Sequence, residues 1–328
     1  MRRFLLAAIP SRTRLIWFAA LFSILAVTGA VFFLANREQL YDTSFDTLVA
    51  NPAYRTSGPR VLFDEAHLNH HTATGRYKPF ADLITNDGYD VHPNRDHLSA
   101  ARLDGVSILV VVCAKGNNDA HDASAFTEGE IAAVDGWLRF GGALLLVTDH
   151  FPFGAAAASL GGRLGVDMHN GMVEDSKYCE PRLGESHLVF SRENGLLLDH
   201  PITRGRNPAE RIERVLTFTG QSLKGPANAT AFMRLSDSAV DRLAATPTVE
   251  KVGRDVRVTV IYGDPTSAKG RAQGVALERG KGRVIVLGEA GMLSAQRDKG
   301  GSPVGMNYPG YDNRQLALNI MHWLSQLL

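Results

Sequence analysis

Residues 127–150 read TEGEIAAVDGWLRFGGALLLVTDH, and this stretch decides the fold. Thr127 with Glu130 three places on is a capping box, a pattern that starts a helix by satisfying its orphan amides. Ile131, Val134, Trp137, Leu138 and Phe140 then recur at helical spacing and give one apolar face. Gly141-Gly142 ends the helix. Residues 143–148 follow as a short, unbroken apolar run, which predicts a strand buried on both faces. A helix, a tight turn and a doubly covered strand make one unit of a parallel sheet with right-handed crossovers.

The same rhythm extends outward. Toward the N-terminus the pattern predicts a strand at 60–64, a helix at about 76–87 ended by Gly88, a strand at 89–92, a short helix near 97–103 and a strand at 106–113. Downstream, the small residues of 154–165 predict a helix packed closely on the sheet. From about 166 to 260 the rhythm breaks. Candidate strands at 187–190, 214–219, 231–235 and 256–262 lie between Pro/Gly-rich loops, which reads as an insertion or antiparallel extension. Runs at 272–278 and 283–287 flank Arg279-Gly280-Lys281-Gly282, a hairpin turn rather than a phosphate loop. A last apolar helix starts at Asp312, a good N-cap. The expected class is α/β: a flavodoxin-like, doubly wound, mostly parallel sheet with an antiparallel extension.

Lys+Arg number 35 against Asp+Glu 34, and no basic block outside the N-terminus resembles a nucleic-acid footprint. Residues 15–34, LIWFAALFSILAVTGAVFFL, carry no charge and are long enough to cross a hydrocarbon core of about 30 Å as a helix. Arg2, Arg3, Arg12 and Arg14 precede them, which places the rest of the chain outside. The expected layout is a cytoplasmic N-terminus (1–14), a transmembrane helix (15–35), a linker (36–58) and an α/β domain (59–328). The protein would then be a single-pass protein of the cell inner membrane with a periplasmic domain. A cleaved signal peptide, ending at residues 28–30 or 33–35, is the competing reading. Cys113 and Cys179 are the only cysteines; Cys113 ends a buried strand and reads as a small hydrophobe more than as half of a disulfide.

Three apolar runs stop at ionisable residues: 61–63 at Asp64-Glu65-Ala66-His67, 144–148 at Asp149-His150, and 284–288 at Glu289. Open α/β sheets bind ligands outside the carboxyl ends of their strands, so these ends point to one polar crevice. Glu65, Asp149, His150 and Glu289 are the candidates for acid–base catalysis. Asp64, His67, His71, Arg76 and Asn307 are the candidates for ligand contact. His with carboxylate also suits a divalent metal, with Asp64, His67 and His150 as candidate ligands, although no HxH or HExxH spacing fixes a geometry. The bland alternatives are that Asp64 caps nearby amides, Asp149 caps the helix after it, and the histidines are solvated. His92, His97, His121, His169, His187, His200 and His322 read as surface or satisfied core.

The chain resembles the class I glutamine-amidotransferase-like superfamily, and within it a membrane-anchored branch similar to auxiliary domains of gliding-motility-type ABC transporters. The resemblance rests on 282–289 (GRVIVLGE), on 312–319 (DNRQLALN) with Trp323-Leu324, on Asp64-Glu65-Ala66-His67 after its strand, and on 130–150. It covers roughly 60–165 and 270–328. Amidotransferases of the family use a Cys on the elbow after the fourth strand with a late His and Glu. Here that elbow is Thr148-Asp149-His150, and Glu289 has no neighbouring His. The resemblance therefore implies fold and pocket position, with envelope or ABC-transporter proteins as partners and no thiolate chemistry.

Overall fold

The structure is a computed structural model that describes residues 40–116, 123–244, 248–252 and 255–328. The expected transmembrane segment lies outside the described residues. Among the described residues, no helix is long and apolar enough to cross a membrane.

The chain runs β1 (Arg60–Asp64), α1 (Lys78–Asn86), β2 (Asp90–Asn94), α2 (Ala100–Leu103), β3 (Ile108–Val112), α3 (Glu128–Arg139), β4 (Ala143–Val147) and α4 (Phe153–Arg163). After the irregular region come β5 (Thr230–Arg234), β6 (Ala272–Arg279), β7 (Gly282–Leu287) and α5 (Asn313–Leu324). These seven strands form one sheet in the order β5-β6-β7-β4-β3-β1-β2. β2, β1, β3, β4 and β7 are parallel, and β6 runs antiparallel to both β5 and β7. From β1 the chain steps first to one side and then to the other, which puts the topological switch point between β1 and β3.

Every residue of β3 and β4 is buried. Their side chains alternate between two cores because successive residues of a strand face opposite ways. Val110, Val112, Leu145 and Val147 meet Phe80, Leu83 and Ile84 of α1 and Leu316, Ile320 and Met321 of α5. Leu109, Val111, Leu144 and Leu146 meet Ile131, Val134 and Leu138 of α3 and Ala157 and Leu160 of α4. The capping box forms: Thr127 Oγ1 accepts from the Glu130 amide at 3.3 Å, and Glu130 Oε2 from the Thr127 amide at 2.9 Å. Phe140, expected on the apolar face of α3, is 87% exposed. It is the C-cap residue, where the chain has left helical geometry and turns outward.

Residues 40–58 correct the expectation of a spacer. Leu40–Tyr41 pairs with Ala295–Arg297, Phe45, Val49 and Tyr54 pack against the core, and the Tyr54 ring meets Tyr89 at 5.1 Å. Asp42 is 8% exposed and is held by Arg297 and Asn307, each at 2.9 Å. Burial opposes its ionisation, but hydrogen bonds from Ser44 and Asn307 outweigh it and hold the pKa at about 2. Gly88, at φ +98°, passes so near that a Cβ there would lie 2.1 Å from the Tyr54 carbonyl oxygen. The apolar anchors of 40–58 follow no helical or strand period, so the sequence pattern conceals them.

The segment expected as an insertion does more than extend one edge. It delivers β5 to the central sheet, while Gly171–Glu174 pairs with Val240–Leu243 and Gly184–Ser191 with Arg214–Leu216. α5 ties it down. Asn313 Nδ2 donates to the Leu216 and Met292 carbonyls at 2.7 and 3.0 Å, and Asn319 Nδ2 to those of Ile202 and Glu210, both at 2.8 Å. Asp312 stands at the N-cap position but makes no cap; its carboxylate accepts the Glu213 and Arg214 amides instead, at 2.8 and 3.0 Å.

Candidate functional site

The ends of β4 and β7 and the loop after β1 enclose a cavity of about 360 Å³. Its lining includes His70, His71 and Arg76 from the loop, Asp149 and His150 just after β4, and Glu289 just after β7. Larger clefts, of about 810 and 650 Å³, lie on the irregular region around Tyr178 and Asn194. The smaller cavity is the better candidate because His70, His71, Asp149, His187 and Glu289, all of shifted protonation, line it together.

Glu289 is fully buried, and its carboxyl accepts the Met292 amide at 2.8 Å and the Gly291 amide. Burial, and then the charge of Asp149, push its pKa well above the usual carboxylate range. Burial also raises Asp149, against the opposing pull of His150 and of the His150 and Ala290 amides at 2.7 and 3.1 Å. Each carboxylate disfavours the other's charge, so the two titrate as one unit that favours keeping a proton. The turn that carries Asp149 is held by Gln221, whose Nε2 donates to Thr148 Oγ1 at 3.1 Å and to the Asp149 carbonyl at 2.8 Å. Tyr77 Oη donates to the Ala290 carbonyl at 2.5 Å and braces the other wall.

His150 Nδ1 donates to the Phe151 carbonyl oxygen at 3.0 Å, and Nε2 lies 3.6 Å from Asp149 Oδ1. The Arg76 guanidinium reaches the ring of His70. Burial, then the charges of Arg76, His150 and Lys115, bring the His70 pKa down to about 4. His71 is lowered well below the ordinary imidazole value by burial, then by His70 and Arg76. Its ring sits 5.0 Å from that of Tyr77, and its buried Nδ1 has no hydrogen-bond partner. Gln296 Oε1, also buried at this cavity, has none either. His71 and Gln296, each with a buried polar atom unpartnered, line the cavity together with Arg76, a set that suits a ligand with an anionic or strongly polar end.

Of the expected site residues, the structure brings together His71, Arg76, Asp149, His150 and Glu289. It places the others elsewhere. Glu65 faces away: its Oε1 accepts the Ala73 amide at 3.1 Å and its Oε2 pairs with Arg95 at 3.3 Å. Asn307 turns its amide to Asp42 and to the Gln296 carbonyl, so its loop closes on residues 40–58 and not on the cavity. Asp64 and His67 form a separate buried group, with His67 Nδ1 at 2.8 Å from Asp64 Oδ2 and Nε2 at 2.9 Å from Glu130 Oε1. Burial opposes charge on His67, but Asp64 and Glu130 outweigh it and raise its pKa. Burial likewise opposes charge on Glu130, but Thr127, His97 and His67 bring it to about 2. The metal trio of Asp64, His67 and His150 is thus corrected, because His150 belongs to the cavity and the other two do not.

Sequence reasoning passed over His187, Phe218, Thr219 and Gln296, which also line the cavity. His187 lies on Gly184–Ser191, and nothing in its neighbourhood separates it from a surface histidine. Cys113 is fully buried at φ +46°, burial raises its thiol pKa well above the usual value, and both cysteines are free.

No family model matches the sequence, and no curated protein matches it. Among solved structures, the chain is similar to the N-terminal domain of mmIFT52, at 14% identity and a TM-score of 0.56, over 81% of this chain and 97% of that one. It is also similar to a ThuA-like protein of Parabacteroides merdae, at 12% identity and a TM-score of 0.42, over 82% of this chain and 90% of that one. A ThuA-like protein of Bacteroides uniformis gives 12% identity and a TM-score of 0.37, over 86% and 95%. Of these three, the first alone is close enough to bear on architecture, and what it supports is the fold.

Proposed function

We propose that this chain carries a glutamine-amidotransferase-like domain that holds a small anionic or strongly polar solute in its cavity and does no thiolate chemistry. The observation that carries the reading is the buried, unpartnered Nδ1 of His71 beside Arg76 and His70. A ligand oxygen there would satisfy a polar atom whose burial is otherwise unfavourable. The elbow residues Thr148, Asp149 and His150 include no thiol, and Cys113 does not line the cavity. A thermal-shift panel of small carboxylates, inorganic phosphate and glutamine tests this on the full chain. At least one compound should raise the melting temperature by mass action. His71→Gln and Arg76→Gln should abolish that rise. A panel without effect, or variants that respond like the parent, would sink the reading.

The role belongs with the expected anchor: an envelope or ABC-transporter accessory module on the outer face of the inner membrane. It rests on the uncharged stretch 15–34 and the arginines before it. Protease added to intact spheroplasts should then cut the domain, and protection until lysis would overturn the placement.

A second reading is a hydrolase, favoured by two buried carboxyls with raised pKa beside His150. His150 Nε2 would take a proton from the attacking water, and a protonated Glu289 would supply one to the leaving group as its bond breaks. Release of nitrophenol from simple esters, lost in His150→Ala, would favour this reading over simple binding.

A further inference from the structure

We propose that His67, His97 and Glu130 form a binding site for one divalent transition-metal ion of the zinc class, separate from the cavity. His67 follows β1, His97 follows β2 and Glu130 lies in the first turn of α3. Their ligating atoms all lie within 4.8 Å of one another, the one such group of three among the described residues. His67 Nε2 and His97 Nδ1 each approach Glu130 Oε1 at 2.9 Å.

The surroundings orient each donor. Asp64 takes the Nδ1 proton of His67, and Asn69 Nδ2 donates to Asp64 Oδ2 at 3.1 Å. With Nδ1 so occupied, neutral His67 presents its lone pair from Nε2, the arrangement in which a carboxylate fixes the tautomer of a metal-bound imidazole. Glu130 Oε2 is held by the Thr127 amide and hydroxyl at 2.9 and 2.8 Å, which aims Oε1 at the histidines.

The crowding at Oε1 argues for an ion over protons. This oxygen has three nitrogen neighbours: His67 Nε2, His97 Nδ1 and the Leu98 amide at 3.1 Å. A carboxylate oxygen offers two lone pairs. One metal ion ligated by both imidazoles, with the Leu98 amide kept, fills two directions. Donors on a tetrahedral ion with bonds of about 2.0–2.1 Å stand slightly farther apart than 2.9 Å, so the His97 ring must rotate and the His67–Glu130 pair must open by about half an ångström. The His97 side chain is 83% exposed, so a further coordination position opens to water. Two histidines and one carboxylate with an open position suit zinc and its first-row neighbours.

The test uses the tag-free full chain, stripped with chelator and titrated with zinc chloride by calorimetry, with metal analysis after dialysis. Parent protein should bind one zinc per chain, and cobalt(II) should develop visible ligand-field bands. His97→Ala, a change at an exposed side chain, should melt like the metal-free parent and bind zinc at least about tenfold more weakly. His92→Ala, at another exposed histidine, should bind like the parent. His71→Gln should leave zinc binding intact, so failure here and failure of the cavity reading are distinguishable. No stoichiometric binding below about 100 μM zinc, or His97→Ala binding like the parent, would overturn the proposal.

Discussion

Glu289 shows what a single residue decides in this protein. Its carboxyl is fully buried, accepts the Gly291 and Met292 amides, and faces the charge of Asp149. Its folded pKa is raised above the unfolded one, so its contribution to stability is full below about 4.5 and is lost as pH rises toward the folded value. Glu289→Gln removes that titration. The melting temperature of Glu289→Gln minus that of the parent should therefore be larger at pH 8 than at pH 5. Parallel pH curves for the two proteins would show that Glu289 is not held protonated by the fold. The aspect of this site visible in the sequence was an acid at a strand end. Its state of charge follows from burial, and the irregular region covers it around Phe218 and Gly220.

At the scale of elements, caps and tethers differ in consequence. The capping box at Thr127 is local, and Thr127→Ala should destabilise by about 0.5–2 kcal/mol. Asn319 reaches across the molecule to two carbonyls more than a hundred residues away in sequence. Asn319→Ala leaves both without this donor, at about 1–3 kcal/mol for each one that water does not reach. Urea unfolding should therefore rank Asn319→Ala as more damaging than Thr127→Ala, and the reverse order would show that α5 does not hold the irregular region in place. The box was legible because it occupies four consecutive positions. The tether was not, because an Asn in a helix carries no sign of what it faces. Asp312 shows the same limit: a good N-cap residue at the cap position spends its carboxylate on the amides of Glu213 and Arg214.

The molecule as a whole should lose stability on acidification in two stages. His200 is buried and His70 is partly exposed at the cavity, and both have pKa values of about 4, against the ordinary 6.5. A depressed imidazole contributes stability that is full above 6.5 and is lost as pH falls through 4. Asp42, at about 2, contributes stability that is full above its ordinary 3.8 and is lost only below it. Melting temperature should fall first between pH 6.5 and 4 and again below 4. His200 is also the acceptor for the Ile202 amide at the start of a short helix, so its protonation removes a cap. His200→Asn keeps a capping oxygen and does not titrate, so it should shrink the first stage to the part His70 contributes and leave the second. An unchanged first stage would place the acid sensitivity elsewhere.

Legible in the chain alone were the parallel βα rhythm, the four strands from 60–64 to 143–148, the β6–β7 hairpin and the strand ends that carry Asp149, His150 and Glu289. They could be read because these signals are short-range: a period of two or of three to four residues, a capping box, a glycine at a turn. That His71 and Arg76 line that pocket while Glu65 and Asn307 turn away from it came from the folded arrangement. It alone showed residues 40–58 docked on the domain, and His97 and Glu130 gathered around His67. Loop side chains choose direction by which buried amides and charges remain unsatisfied nearby, and those neighbours are supplied by segments far along the chain. That dependence is energetic and non-local, so no window of sequence contains it.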